Sequence, residues 1–347
     1  MSFLSSCSIS MPQHQYGLDQ LRASGKIWLR GNADCEVLFQ RLLSSSNVQQ
    51  RGFSIPLEKI LTLSGLRERS QLFEELAPSL ALPAIAGALK AAGKDPSTID
   101  YFIFTSCSVP AIPSIDAVLV ELAGFSPLVR RLPIFQHGCA GGMVGLELAH
   151  EFASNNRSVL LVSVELCSLL FHYEDVRTGQ LVGGALFSDG AAAVVVTPDA
   201  GPIEILASSS CLLPDSRHLM GYELQDDGLH LLLDRDLPSA LTDHIPKLTK
   251  TFLEKEGLTM DDVSWWLFHP GGPKILSSLQ QALHLSDASC RFAGEVLSTH
   301  GNMSSATIFF VLNRFLSEHP AKSRELMVLC GVGPGLTVEL ILCRVNS

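Results

Sequence analysis

Apolar residues in this chain occur either in short uninterrupted runs or at helical spacing, and this alternation predicts an α/β protein. An aromatic run at residues 101–104 predicts a buried strand, and residues 115–123 predict a helix. A second strand at 132–135 precedes a helix from about 142 to 153, and a third strand follows at 158–164. The middle of the chain therefore has the predicted order strand, helix, strand, helix, strand.

The regions on either side of this block contain fewer clear elements. Residues 1 to about 80 predict only short elements, and one longer helix follows them. The predicted helices lie at 35–43, 57–63 and 76–92, the last interrupted at Pro83, and a strand pair is predicted at 191–196 and 203–208.

The second half of the chain repeats the order of the first. Aligning Gly93 with Gly257 superposes two aromatic strands, the second of which ends just before His269. Two related halves are therefore predicted, residues 1–206 and 207–347, each with a sheet buried under helices.

The same alignment brings three chemically useful side chains to equivalent places. Cys139 falls beside Asn302, which is expected to follow a strand end and a glycine and to precede a helix. In α/β folds the chemistry gathers where strand ends face each other. We therefore expect Cys139, His269 and Asn302 to share one site.

Composition narrows the class of protein. The 347 residues are 46% hydrophobic and 17% charged, with a net charge of −10, which favours a globular protein and argues against a nucleic-acid surface. The nine cysteines form no CxxC pair and no zinc-type cluster with histidine, so we expect reduced thiols and no metal. No signal peptide and no membrane span is expected, and a cytoplasmic location follows.

Cys139 is the candidate nucleophile. It lies in FQHGCAGGMVG, between a predicted strand end and a predicted helix, so glycines would hold its sulfur exposed on a tight turn. The positive end of the helix dipole is expected to lower the thiol pKa and favour the nucleophilic thiolate. The alternative is a small buried core residue, which describes most free cysteines.

His269 and Asn302 complete a coherent set with Cys139. An imidazolium stabilises a nearby thiolate, and both side chains can donate to a thioester oxygen on which charge develops. Taken singly, a histidine at a strand end is usually structural, and an asparagine after glycine is usually a turn or cap residue. Four other histidines are interpreted as surface or core residues: His137, His172, His230 and His300.

A glycine-rich run, GVGPG at 331–335, precedes a predicted strand rather than a helix, so it is not a dinucleotide loop. We interpret it as a close approach of backbone to the reactive sulfur. The amides of Cys139 and of Gly333 or Gly335 could form a second oxyanion pocket, whereas Pro334 has no N–H to donate.

With these residues in place, the chain resembles the type III polyketide synthases, the chalcone-synthase-like branch of the thiolase superfamily. The similarity extends over nearly the whole sequence in the correct order, and it looks closer to bacterial members. Its motifs are GCAGG at 138–142, GGALFSDGAAA at 183–193, HPGGP at 269–273, GNMSSA at 301–306 and GVGPGLT at 331–337.

The resemblance implies a thiolase-like fold with a layered α-β-α-β-α core, a homodimer and no bound cofactor. Acyl-CoA and malonyl-CoA would be the substrates. A starter would load onto Cys139, and His269 with Asn302 would assist decarboxylation of malonyl-CoA. Repeated condensation and cyclisation would then give a pyrone or phenolic product.

Departures from the plant members of the family change the expected substrate. Phe187 matches one of two gatekeeping phenylalanines, whereas Leu231 stands at the second. Cys107 and Leu170 replace cavity threonines, and these changes favour an aliphatic starter. A packing role for Cys107 competes with a chemical one. The resemblance also places Ser304, Gly333, Pro334 and Gly335 around the substrate.

The resemblance also predicts the contacts to coenzyme A. Of three basic residues near the CoA phosphates in plant enzymes, only Arg41 is retained, because Leu38 and Ser45 occupy the other two positions. Lys274, just after HPGGP, is a candidate to supply part of the missing charge.

Two other functions are compatible with the residues. A ketoacyl synthase III-like enzyme would use thioesters on a carrier protein, since GNxxxA and a Gly-Cys turn occur there too. A non-catalytic acyl-binding homologue would keep the fold without a reactive thiol.

Overall fold

The computed structural model of the chain describes residues 1–318 and 324–346. Its strands are β1 (Ser2–Ser10), β2 (His14–Gly17), β3 (Gln50–Phe53), β4 (Tyr101–Thr105), β5 (Arg130–Ile134), β6 (Val159–Leu166), β7 (Asp189–Thr197), β8 (Ile203–Leu212), β9 (Met220–Gln225), β10 (Gly228–Leu233), β11 (Val263–Phe268), β12 (Leu326–Gly333) and β13 (Thr337–Val345). Its helices are α1 (Leu18–Trp28), α2 (Ala33–Ser45), α3 (Leu57–Ile60), α4 (Leu66–Ala92), α5 (Asp116–Leu122), α6 (Gly141–Ser154), α7 (Thr178–Leu186), α8 (Leu237–Lys255), α9 (Pro273–Ala282), α10 (Asp287–His300) and α11 (Thr307–Glu318).

Nine strands form one mixed sheet in the order β11-β12-β13-β8-β1-β7-β6-β4-β5. Strand β4 pairs in parallel with β5 and β6, and β11 pairs in parallel with β12. Only three residue pairs, from Ser2 to Leu4, join β1 to β8 and so connect the two halves of the sheet.

Alternation along β4 shows how helices cover both faces of the N-terminal half. Phe102 and Phe104 lie in one core cluster with the buried face of α4, whereas Ile103 points the other way and packs with Met143 of α6. Helices α6 and α11 contact strands of both halves, so they lie between them. Helix α10 packs against β11 in the second half.

The predicted duplication is visible in the order of elements. Helix α4 ends at Gly93 before β4, and α8 is followed by Gly257 before β11; both glycines have positive φ, 62° and 72°. Short 3₁₀ turns at Gly138–Ala140 and Ser304–Ala306 then lead into α6 and α11.

The structure differs from the expected local structure around β1 and around α4. Strand β1, in the region predicted to hold only short elements, inserts between β7 and β8, so the predicted strand pair does not pair directly. Helix α4 starts at Leu66 and continues through Pro78 and Pro83, because its apolar face is held against β1, β6 and β7. This burial also identifies α4, which is long and apolar enough to cross a membrane, as a core helix.

The second half departs from the first immediately before Asn302. Helix α10, not a strand, leads into Gly301 and Asn302, so Asn302 is not at a strand end as predicted. The β9–β10 hairpin was not predicted at all, and it forms a separate two-stranded sheet.

Candidate active site

Cys139 lies on the 3₁₀ turn that opens α6. Gly138 on this turn has φ +52°, and an added Cβ would come 2.5 Å from Cδ of Pro334. An added Cβ on Gly333 would likewise lie 2.5 Å from the carbonyl oxygen of His137. The glycine-rich run therefore packs directly on the turn of the nucleophile, as predicted, and glycine is required for this approach.

Gly335 does not take part in this contact. Its φ is +128°, and an added Cβ there would meet Leu212 and Thr337 rather than the Cys139 turn. Of the two amides suggested for a second oxyanion pocket, only that of Gly333 belongs to a residue packed against the turn.

His269 follows the last residue of β11, and its backbone N–H donates to the carbonyl of Cys330 at 2.8 Å. Both ring nitrogens are buried without a hydrogen-bond partner in the described residues. Burial lowers the pKa of His269 to about 4, so its ring is neutral near pH 7. A buried ring with two open nitrogens is placed to bind a substrate.

The side chain of Asn302 is oriented by its own turn. Its Oδ1 accepts from the backbone N–H of Ser304 at 2.8 Å and from the hydroxyl of Thr307 at 3.3 Å. Its Nδ2 donates weakly to the carbonyl of Gly271 at 3.4 Å. Because the oxygen is occupied, the amide presents its N–H group to the site.

Cys139, His269 and Asn302 line one cavity of about 1040 Å³. His269 and Asn302 follow Cys139 by more than a hundred residues along the chain, yet the three share one space large enough for a substrate. Phe187 and Lys274 line the same cavity.

The protonation of the site differs from the sequence-based expectation. Burial raises the pKa of Cys139 to about 11, against a smaller lowering by its hydrogen bond to Ser304. Burial therefore opposes both charges of the predicted thiolate–imidazolium pair in the substrate-free site. The burial comes from the Ser304–Ala306 turn and the glycine-rich run, which both contact the turn of Cys139.

Two predicted residues lie directly beneath Cys139. The hydroxyl of Ser304 is 3.4 Å from Sγ of Cys139 and 3.1 Å from Sγ of Cys107. Ser304 has φ +47°, a left-handed conformation that is uncommon for serine and that aims this hydroxyl between the two sulfurs.

Leu170 and Leu231 line a narrower pocket of about 60 Å³ rather than the main cavity. The two spaces are adjacent, because Phe187 and Gly183 line both. Tyr222, which sequence reasoning missed, also lines the narrow pocket, and burial raises its pKa well above the usual value.

Arg41 is exposed in a shallow depression on α2 beside Gln40 and Ser44, outside the lining of the main cavity. Because Ser45 lines both this depression and the main cavity, Arg41 lies next to the main cavity without lining it. Arg235, which was missed, lines the cavity together with Lys274. It lies between β10 and α8 with an aspartate on either side, and this charged turn gave no sequence signal of the role.

Glu165 is a further buried residue that sequence reasoning missed. Its carboxylate accepts from the hydroxyls of Ser108, at 2.5 Å, and Ser305, and from the amide of Cys107. Burial raises its pKa. The available signal was a single charge inside an otherwise apolar strand, since such a charge is buried only when it is paired or hydrogen-bonded.

Comparison with known proteins places this arrangement in a family. The sequence matches "Chalcone and stilbene synthases, N-terminal domain" over residues 39–200 and "Chalcone and stilbene synthases, C-terminal domain" over residues 204–346. The chain belongs to the chalcone and stilbene synthase family.

Relatives within the family narrow the class. The chain is 34% identical over 345 residues to a 1,3,6,8-tetrahydroxynaphthalene synthase from Streptomyces peucetius subsp. caesius, covering 96% of this chain and 91% of that protein. It is 30% identical over 361 residues to a putative chalcone synthase of Bacillus subtilis (strain 168), covering 99% and 98%. The predicted family, the bacterial-type type III polyketide synthases, is confirmed.

Solved structures agree with this assignment. The crystal structure of 1,3,6,8-tetrahydroxynaphthalene synthase from Streptomyces coelicolor A3(2) matches with a TM-score of 0.95 and 29% identity over 99% of both chains. The type III polyketide synthase domain of Steely1 from Dictyostelium matches with a TM-score of 0.93 and 23% identity over 100% of this chain and 99% of that chain, which supports the fold alone. The predicted thiolase-like fold is confirmed.

The chain is thus an acyltransferase of the type III polyketide synthase class, which acts on CoA thioesters by decarboxylative condensation and needs no cofactor. This excludes the non-catalytic alternative. It leaves the starter, the number of extensions and the product to be inferred from the cavity.

Proposed function

We propose that the protein loads an acyl-CoA starter on Cys139, extends it with malonyl-CoA and cyclises the chain to a pyrone or phenolic product. The observation that supports this most directly is that Cys139, His269 and Asn302 line one cavity, with the ring nitrogens of His269 buried and unpartnered.

In the loading step, Sγ of Cys139 attacks the carbonyl carbon of the starter thioester. The new C–S bond forms as the bond to the CoA sulfur breaks, and the thiol proton passes to the departing CoA thiolate. Neutral His269 is suited to carry that proton, since it can accept one and release it near pH 7. The high pKa of Cys139 makes this assistance necessary.

In the extension step, His269 and Asn302 donate to the thioester oxygen of malonyl-CoA. The C–C bond to the carboxylate breaks, CO2 leaves, and the electron pair becomes an enolate stabilised by these donors. The enolate carbon attacks the acyl group on Cys139, a new C–C bond forms, and the cysteine sulfur departs as thiolate. Because the neutral ring of His269 carries no positive charge, it can donate this hydrogen bond without forming an ion pair with the carboxylate of malonyl-CoA.

The shape and lining of the cavity support an aliphatic starter. Leu170, Leu231 and Phe187 form an apolar wall next to the site. A second candidate is a starter derived from malonyl-CoA itself, favoured by the hydroxyl of Tyr222 in the narrow pocket and by the relatives named for 1,3,6,8-tetrahydroxynaphthalene. Hydroxyl groups on alternate ring carbons are the pattern that head-to-tail joining of two-carbon units produces.

Lys274 and Arg235 are proposed to meet the CoA phosphates at the rim of the cavity. Lys274 lies in the first turn of α9, where free backbone N–H groups add to its charge. Arg41, the residue retained from the plant pattern, does not line this cavity, but it lines a neighbouring depression that shares Ser45 with it.

A homodimer is also proposed. Ile112 and Leu128 are 95% and 87% exposed, and they lie in the loops before and after α5. Large apolar side chains exposed together on one segment are typical of a surface that a partner covers. We also propose that the chain divides into two parts, residues 1–206 and 207–347. A cytoplasmic location is proposed as well, and the nine free cysteines support it.

The experiment that tests the function combines the purified protein, a panel of acyl-CoAs and malonyl-CoA labelled in its free carboxyl group. Release of labelled CO2 and starter-dependent polyketides in the mass spectrum are expected. No product with any starter would contradict the proposal. Replacing malonyl-CoA by malonyl carrier protein is the control, because a ketoacyl synthase III-like enzyme would prefer the carrier-bound form.

A further inference from the structure

A cluster of charged and polar side chains, four of them buried and one, Asp227, exposed, takes no part in the chemistry above. We call it the histidine latch and define it as Arg69, His172, Asp175, Asp227 and His230. His172 is 2% exposed, His230 6% and Asp175 8%. Neither histidine was expected to have any particular context.

Each member of the latch is joined to another by a polar contact. His230 Nδ1 is 2.9 Å from Oδ2 of Asp175, and its Nε2 is 2.8 Å from Oδ1 of Asp227. Both contacts are satisfied when the ring donates at both nitrogens. Nδ1 of His172 lies 3.1 Å from Oδ2 of Asp227 and 3.4 Å from a guanidinium nitrogen of Arg69.

Two histidines and a carboxylate with ligand atoms within 4.8 Å also resemble a metal site. The ring geometry argues against it. The two imidazoles are stacked, with centroids 3.8 Å apart and planes inclined by 19°. A metal lies close to the plane of each ligating ring, and nearly parallel planes do not meet at one ion. The guanidinium of Arg69 beside His172 Nδ1 adds repulsion of a cation.

The latch joins two different parts of the fold. Asp227 and His230 belong to the β9–β10 hairpin, whereas His172 and Asp175 follow β6 and Arg69 comes from α4. Arg69 is itself fixed, since it donates to the carbonyls of Leu169 at 2.6 Å and Phe171 at 2.7 Å and of Ser64 at 2.9 Å. The cluster therefore fastens the hairpin to the body of the protein.

The hairpin needs such a fastening because its strands pair only with each other. A two-stranded hairpin is at best marginally stable by itself. It nevertheless supplies part of the substrate space: Tyr222 and Leu231 line the narrow pocket, and Met220 and Leu233 line the main cavity. Leu231 follows His230 of the latch directly.

Leu231 of β10 also lies close to Gly183, which in turn lies close to Phe187. An added Cβ on Gly183 would lie 2.9 Å from Cδ2 of Leu231 and 3.1 Å from Cδ2 of Phe187. A movement of β10 would therefore alter the space that Leu231, Gly183 and Phe187 enclose between the two pockets.

We infer that the histidine latch is a specificity-determining device: by fixing the β9–β10 hairpin, it sets the size of the cavity and hence the length of the polyketide. The inference rests on the proposed function, because it assumes an elongating chain in this cavity. Its members are positioning residues, since none of them lines the main cavity.

The test compares Asp227→Asn and His230→Gln with Asp226→Asn, a matched change at the neighbouring exposed position of the same turn. In the two latch variants the ratio of the main product to products one extension longer is expected to change by about tenfold, the scale at which one methylene group alters pocket specificity. Alkylation of Cys139 should proceed at the wild-type rate. Asp226→Asn should leave both quantities unchanged.

Hydrogen–deuterium exchange of residues 220–233 gives a readout that does not depend on products. Faster exchange in Asp227→Asn with an altered product ratio supports the inference. Faster exchange with an unchanged ratio overturns it, and so does unchanged exchange. If the wild-type protein makes no product from any starter, the proposed function fails. Unchanged exchange in the variants is a separate result, and it would show that the latch does not hold the hairpin. If the purified protein contained one metal ion per chain and Asp227→Asn lost it, the cluster would be a metal site and the inference would be overturned.

Discussion

The backbone of Asn302 is hydrogen-bonded to the segment that carries Phe187. The amide of Ser188 donates to the carbonyl of Asn302 at 2.8 Å, and the amide of Asn302 donates to the carbonyl of Leu186 at 2.8 Å. Arg51 from β3 in turn donates to the carbonyl of Phe187 at 3.0 Å. Asn302, whose side-chain amide is proposed to stabilise the enolate, and Phe187, which lines the cavity, are therefore held together by backbone hydrogen bonds.

Arg51→Met is expected to disturb this arrangement. The guanidinium is buried, and its pKa is lowered to about 9 by burial, against the opposing effect of Asp189. Removing a buried charged donor should lower the free energy of unfolding by about 2–3 kcal/mol and slow the release of CO2 from malonyl-CoA. Thermal unfolding and CO2 release measure the two effects. The exposed Arg30→Met is the control, and an Arg51→Met enzyme with normal stability and rate would contradict the role.

Cys139→Ala is expected to abolish polyketide formation while decarboxylation of malonyl-CoA continues. The mechanism assigns decarboxylation to His269 and Asn302, so the sulfur is needed only to hold the growing chain. Labelled CO2 and mass spectrometry separate the two activities, and circular dichroism checks that the variant is folded. An unfolded variant would instead support the alternative in which Cys139 fills the core.

Alkylation of Cys139 by iodoacetamide should become faster with increasing pH. Burial raises the pKa of this thiol to about 11, so the thiolate fraction grows roughly tenfold per pH unit below that value. Rates measured by mass spectrometry between pH 7 and pH 10 should therefore rise without a plateau. A plateau near pH 7 would instead mean that Cys139 has the low thiol pKa expected from the helix dipole alone.

His269→Leu should remove decarboxylation and raise the free energy of unfolding by about 1 kcal/mol, because it eliminates buried, unpartnered ring nitrogens. The stability of the wild type should also fall as the pH drops from 6.5 to 4. In that window the unfolded histidine, with its ordinary pKa of 6.5, binds a proton that the folded one, with a pKa of about 4, does not.

Denaturant unfolding at pH 7 and pH 5 tests both parts. The advantage of His269→Leu over wild type should be larger at pH 5. Gln281→Leu introduces the same side chain at an exposed, non-ionisable position of α9 and is the control for the effect of the added leucine. Equal differences at the two pH values would mean that the ring of His269 is protonated in the folded protein.

We expect the protein to sediment as a dimer, with twice the chain mass of 37.5 kDa. Introducing charge with Ile112→Glu or Leu128→Glu should weaken association, because the apolar contact would bury a carboxylate. Analytical ultracentrifugation over a range of concentrations measures the shift. Leu224→Glu, another exposed leucine that lies on β9, is the control. A wild-type protein that sediments as a monomer would remove the proposal.

The sequence by itself determined the elements around the nucleophile and the identity of the three site residues. Apolar periodicity is a local property, so β4, β6 and α6 appear in the sequence almost where the structure has them. Cys139, His269 and Asn302 could be found because two similar halves place them at comparable positions.

Only the tertiary structure decided what surrounds those residues. Strand β1 separates β7 from β8, and α10 replaces the strand expected before Asn302, because strand pairing depends on partners distant in the sequence. The pKa of Cys139 rises because segments from the other half enclose it, and desolvation cannot be read from neighbours along the chain. His172 and His230 likewise gained a role only when folding stacked their rings, which belong to separate segments of the chain.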